Sequence, residues 1–247
     1  MKNYPVILFL LSALVLSCQN SEVGYNQTSE SDVAYEVESD SVIDNAVIVP
    51  KAEWETEDFL TNSDAYEKNL SEKAKKGDAE AIKDLGMHFL MPYKSSSKLK
   101  QDEDLGVALL MKSSNLGSAE AQCFLAGVYS GHYGSGKYND LSEARKWLEM
   151  SAKNGYAKAE FRVGYNYSYG VDGFPQDYSE ALKWRKAFAV KGASIDHIEA
   201  QFNVGWHYWY GKGVEVDKTE AMKWFRMAAD NGDAEAKKIV EKYGDLY

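Results

Sequence analysis

At 247 residues and a formal net charge of −10, the chain has room for one large domain or a repeat array. It is too acidic for non-specific attachment to nucleic acid or anionic lipid heads, which demand a basic surface. Hydrophobic residues make up 45% of it, prolines number 4, and its two cysteines are Cys18 and Cys123, so long uninterrupted helices are within reach while a disulfide framework or multi-cysteine metal site is excluded.

Residues 1–18 read MKNYPVILFLLSALVLSC, with Lys2 ahead of an apolar run from Val6 to Leu16. The run falls short of the roughly 20 apolar residues of a membrane span and has the layout of a signal peptide. Its ending, Val15-Leu16-Ser17-Cys18, resembles a bacterial lipobox. That resemblance implies removal of residues 1–17, lipidation of the Cys18 thiol and acylation of the new amine, and so a lipid-anchored protein of the bacterial cell envelope. Several acyl chains anchor firmly where one is marginal. An ordinary signal peptide ending on a chance cysteine is the alternative.

From Gln19 to Pro50 the chain carries seven acidic residues and no Lys or Arg. Little of this stretch can bury a core, so residues 18–58 read as a disordered acidic tether behind the lipidated cysteine. Such a coil separates its ends by roughly 30 Å, enough to lift a folded part off a membrane. A surface-export signal is the other role open to an acidic run here. The 27 basic and 31 acidic residues after Pro50 leave the rest at only −4.

Residues 59–247 repeat themselves. Units open at Ala81, Ala121, Ala159 and Ala200, spaced 40, 38 and 41 residues apart, with 36 more to Ala236. They run over about 81–117, 121–155, 159–192 and 200–232, each as a pair of helices. Helix A starts at the alanine and carries an apolar-small pair (Leu85-Gly86, Leu125-Ala126, Val163-Gly164, Val204-Gly205), the small residue admitting a neighbouring helix. An aromatic follows: Phe89, Tyr129, Tyr167 or Tyr208. Helix B starts fifteen residues before a closing glycine, at Asp102, Asp140, Asp177 or Asp217. Glu143, Glu180 and Glu220, three residues after their aspartates, make a capping-box pattern in which the Glu reaches back to the cap. Gly117, Gly155, Gly192 and Gly232 are placed to stop the helices in the left-handed conformation. A helix B capped by Asn62 before the first unit and a helix A in AKKIVEKYGDLY after the last bring the total to about ten, with half-repeats covering the ends of the stack.

These residues resemble Sel-one-like repeats, a family related to tetratricopeptide repeats. The fourth unit carries the pattern nearly throughout: Gly211-Lys212-Gly213-Val214, Asp217, Ala221, Trp224, Ala228-Ala229 and Gly232, with Glu220 where the family favours Lys. The first unit lacks the Gly-x-Gly loop and has Leu109 for the tryptophan. The resemblance implies an all-α fold, a right-handed superhelical solenoid of antiparallel helix pairs, and a scaffold that holds a protein or peptide on its concave face. It implies no enzyme, and it does not identify the partner.

Helix A carries more aromatic residues than that pattern requires. Tyr165 and Tyr169 are four apart, and Trp206, Trp209 and Tyr210 fall at i, i+3 and i+4, spacings that share a helix face. They read as a partner-binding groove for a peptide, with a glycan as the alternative occupant, or as packing between neighbouring A helices, the commoner fate of aromatic stripes. The loop residues Lys212, His132, Tyr133 and Asp172 either rim such a site or are solvated turn residues. His88, His132, His197 and His207 show no metal-ligand spacing. No Ser-His-Asp set is readable either, so neither metal nor cofactor is expected, and an envelope hydrolase with a hidden site is the minor reading. Cys123 aligns with Phe161 and Phe202, as a buried inert thiol would. Ile195-Asp196-His197-Ile198 is an insertion between units, read as a slack turn or a partner contact.

Overall fold

The computed structural model describes residues 65–91 and 101–247. The expected signal peptide, Cys18, the acidic tether and the Asn62 cap lie outside the described residues. Ten helices follow in order: α1 (Ala65–Lys75), α2 (Ala79–Leu90), α3 (Glu103–Asn115), α4 (Ala119–Tyr129), α5 (Leu141–Lys153), α6 (Ala157–Tyr169), α7 (Tyr178–Ala189), α8 (Ile195–Tyr210), α9 (Lys218–Asp230) and α10 (Ala234–Tyr243). Each packs chiefly on its neighbours in sequence, most extensively within the pairs α2/α3, α4/α5, α6/α7 and α8/α9. The all-α architecture of sequential antiparallel pairs is the one the repeats imply.

The B helices begin where the sequence places them. Asp102, Asp140, Asp177 and Asp217 accept from Leu105 N, Glu143 N, Glu180 N and Glu220 N at 2.8–3.1 Å. The other half of the capping box is different. The backbone N–H of each aspartate donates to the carbonyl of the helix A aromatic: Phe89, Tyr129, Tyr167 and Tyr208, at 2.8–3.1 Å. With that N–H already bonded, Glu143, Glu180 and Glu220 turn outward and pair with Lys146, Lys183 and Lys223.

Helix A opens earlier than its alanine. Asp78 and Ser118 cap α2 and α4 by accepting from Ala81 N and Ala121 N, so those helices start at Ala79 and Ala119. The four-residue insertion is no loop: it forms the first turn of α8, with the His197 ring stacked 4.2 Å from that of Phe188.

Gly77, Gly117, Gly155 and Gly232 all have positive φ, and the N–H groups around them close the preceding helices onto Ala74, Ser114, Ala152 and Ala229 carbonyls. Gly192 departs from the expectation, because the added turn of α8 brings His197 against it and the chain leaves α7 without a left-handed residue.

Small residues set the helix separation. A Cβ on Gly86 would meet Gly106 O at 3.0 Å, one on Gly164 would meet Arg185 Cγ at 3.1 Å, and one on Gly205 would meet the Phe225 ring at 2.6 Å. Gly106 stands where later units have alanine because its own Cβ would strike Leu90 at 2.7 Å. Behind these crossings Ile82, Leu85, Leu109, Leu110, Leu125, Val163, Val204 and Phe225 are fully buried. No described helix is long and apolar enough to cross a membrane.

Candidate functional site

The helices α6, α7 and α8 bring the third and fourth units together around a cleft of about 160 Å³. It is lined by Ser168, Tyr169, Tyr178, Arg185, Asn203, Trp206, His207 and Lys212. Tyr169 and Trp206, on different A helices, share this cleft. Tyr165 packs against Tyr169 with ring centroids 4.6 Å apart, and Tyr210 stacks on Trp206 at 4.6 Å and 7°. Tyr169 and Tyr210 are 58% and 57% exposed. Trp206 is half-buried, with edge contacts to Phe202 and Phe225.

Trp209 goes elsewhere. Its ring lies among Phe225, Tyr243 and Tyr247, with Lys218 Nζ 3.9 Å above it. It joins α8 to α9 and α10 rather than the cleft. Of the loop residues, Lys212 does rim the cleft, its ammonium 4.7 Å from the Tyr178 ring. Tyr133 instead lies against Gly127, His132 bonds Ser130, and Asp172, at φ 52°, accepts from Asn166.

Two buried polar groups that the sequence did not assign to a binding site line the cleft: His207, weighed only as a metal ligand, and Arg185. His207 Nδ1 lies 2.8 Å from the Lys212 carbonyl, which can only accept, so that nitrogen carries the proton. Burial holds the His207 pKa below its ordinary value, with the nearby charges of Arg185 and Lys212 acting the same way against the carbonyl's hydrogen bond. Arg185 is 5% exposed. Burial also pulls its pKa down, and Glu199, Tyr165 and Tyr169 lie close enough to oppose that. The signal for Arg185 was present in the repeats: it stands where the other units have Leu110, Leu148 and Phe225.

The repeat core aromatics stay structural. Tyr167 OH donates to Glu149 at 2.7 Å and accepts from Arg145 at 2.9 Å, and its pKa is pushed up to about 12 by burial and the Glu149 bond. Tyr208 OH accepts from Lys186 at 3.0 Å. Cys123 is buried. No group of three or more His, Cys, Asp or Glu placed to hold a metal occurs among the described residues.

The Sel1 repeat model matches residues 119–156, 157–185 and 198–233. The first unit, without the Gly-x-Gly loop and the tryptophan, falls outside the match. Chitin synthase regulatory factor 3 of Schizosaccharomyces pombe is 33% identical over 138 residues, which are 54% of this chain and 14% of that protein. The chain therefore spans a small fraction of the fungal relative. A Sel1 repeat protein from Oxalobacter formigenes is similar in structure at a TM-score of 0.57 and 26% identity, covering 71% of this chain and 68% of the other. A protective antigen of uropathogenic Escherichia coli, described as displaying an SLR fold, gives 0.56 at 22% identity over 70% of this chain and 35% of its own. That likeness concerns the fold alone.

Proposed function

We propose that this Sel1-repeat chain is a non-enzymatic scaffold whose third and fourth units hold a protein or peptide partner along the aromatic face of α6 and α8. The observation that carries the reading is two aromatic pairs, the tilted Tyr165–Tyr169 and the stacked Trp206–Tyr210, on either side of one cleft, with Tyr169 and Tyr210 exposed. Aromatic rings give large, rigid contact area at little entropic cost. The fungal relative is named as a regulatory factor of an enzyme, which accords with a role in holding another protein. Immobilised full chain offered a random peptide library tests it. The Tyr169→Ser, Tyr210→Ser double variant alters two exposed rings and is expected to keep its helical circular dichroism while losing about tenfold or more in affinity for the peptides the parent captures. Unchanged capture overturns the groove.

A glycan is the second occupant considered, favoured by the near-parallel Trp206–Tyr210 stack, a flat platform of the kind sugar rings lie against. Titration with peptidoglycan fragments and neutral oligosaccharides separates it from the peptide reading.

The scaffold is placed at the bacterial cell envelope, held by lipid on Cys18. The apolar run from Val6 to Leu16 and the residues before Cys18 support this. Metabolic labelling with an alkyne fatty acid in a bacterial host is expected to tag the parent chain, and Cys18→Ser is expected to remove both the label and the membrane association. A label that persists on the variant defeats the anchor.

A further inference from the structure

The B helices of the four units share one core position, directly after the tryptophan site: Leu110 in α3, Leu148 in α5, Arg185 in α7 and Phe225 in α9. The three apolar members are 0–2% exposed and Arg185 is 5% exposed. A guanidinium thus sits where the repeat elsewhere places hydrocarbon. Gly164 makes room for its stem, and its Nε donates to Ser168 Oγ at 3.1 Å. No carboxylate among the described residues comes within 4.0 Å of it; Glu199 is near enough to attract it but makes no ion pair. A buried cation lacking an acidic partner is costly to a fold. Arg185 lines the cleft shared by Tyr169, Trp206 and Lys212, so an anion entering there offsets that cost.

We propose that this cleft binds a carboxylate of a peptide partner, with Arg185 as its buried counter-charge, Lys212 at the rim, and Tyr169 and Trp206 flanking the chain that carries it. This rests on the peptide-scaffold reading above and specifies the chemistry of its ligand. The planar guanidinium matches a carboxylate in shape as well as charge. The cleft, at about 160 Å³, is many times what a single water needs and has room for one acidic side chain or one C-terminal residue.

Two pools of N-acetylated random heptapeptides, one ending in a free carboxylate and one in an amide, are applied to the immobilised full chain, and recovered sequences are titrated by calorimetry. Recovered peptides are expected to carry a carboxylate, and Arg185→Met to weaken them about tenfold or more. Met suits the apolar position, so the same variant is expected to keep or raise its unfolding midpoint, whereas an arginine with a purely structural role would lower it. Arg185→Lys, which keeps the charge, is expected to retain part of the affinity, and it carries the test should Arg185→Met fail to fold. Loss of binding on amidation assigns the carboxylate to the peptide terminus; acidic amides that bind equally well assign it to Asp or Glu, and either result supports the proposal. Neutral peptides binding as tightly, or affinity unchanged in the folded Arg185 variants, overturns the carboxylate assignment and leaves the scaffold standing. Recovery of nothing from either pool overturns the scaffold reading as well. Arg185-dependent binding of uronic-acid oligosaccharides in that case counts against a peptide and reassigns the cleft to an acidic glycan.

Discussion

Gly205 and Phe225 form the tightest of the helix crossings that glycine permits, and the ring is fully buried. Gly205→Ala is therefore expected to destabilise the fold by about 1–3 kcal/mol, the usual range for overpacking, read as a lower urea midpoint at unchanged slope. His207 supplies a pH dependence. Its folded pKa lies below its ordinary value of 6.5, so the unfolded chain takes up a proton first as pH falls. Stability contributed by the neutral ring is complete above 6.5 and declines as the pH drops through that value toward the lower folded pKa. Unfolding midpoints are expected to fall between pH 7.5 and 5.5, and less steeply in His207→Asn. His197, depressed chiefly by burial, acts in the same direction, so a residual slope remains in that variant.

At the scale of the helix, the B register was legible because cap, tryptophan and closing glycine recur at fixed offsets. Asp217→Ala removes the 2.8 Å bond to Glu220 N and is expected to cost about 1 kcal/mol, seen as a lowered thermal midpoint. The A starts were less legible, since Asp78 and Ser118 precede the alanines that align best and the caps of α6 and α8 make no side-chain bond. The two aromatic pairs followed from i, i+4 spacing, but spacing did not divide Trp206 from Trp209: Phe225 of α9 touches both rings, and their separation depends on Tyr243 of α10 and on Tyr247, which reach Trp209 alone. Arg185 was missed because a search for chemistry by residue type passes over a charge lying inside a core pattern. A second series was legible in the same way. The position after the alignment alanine and the one before the closing glycine pair as Gln122 with Asn154, Glu160 with Lys191 and Gln201 with Asn231, at 2.5–3.0 Å. An amide pair changes to an ion pair in the third unit, both members together.

At the scale of the molecule, stability in such a stack is the sum of each unit and its interfaces. Helix α10 covers the last unit: Ile239, Val240 and Tyr243 pack on the cluster of Met222 and Phe225, and Tyr243 and Tyr247 on Trp209. Removing residues 234–247 uncovers these half-buried contacts, a loss of about 3 kcal/mol at roughly 1 kcal/mol for each of three partly buried side chains. The truncated chain is expected to melt first at its C-terminal end and to scatter light at concentrations where the full chain stays clear. If it is equally stable and equally clear, α10 is an ornament and not a cap.

The bond from each B-helix aspartate N–H to the A-helix aromatic carbonyl closes a ring of chain at every unit, with the two helices on one side and the connecting segment on the other. What lies between Tyr129 and Asp140 is a detour from a circuit already shut, whereas the connection from Tyr208 to Asp217 carries Trp209, Tyr210 and Lys212 and is bound up with the cleft. The first of these, anchored at both ends by one backbone bond, is the natural port for grafting: an epitope or a sensor peptide spliced into it should inherit a fixed base.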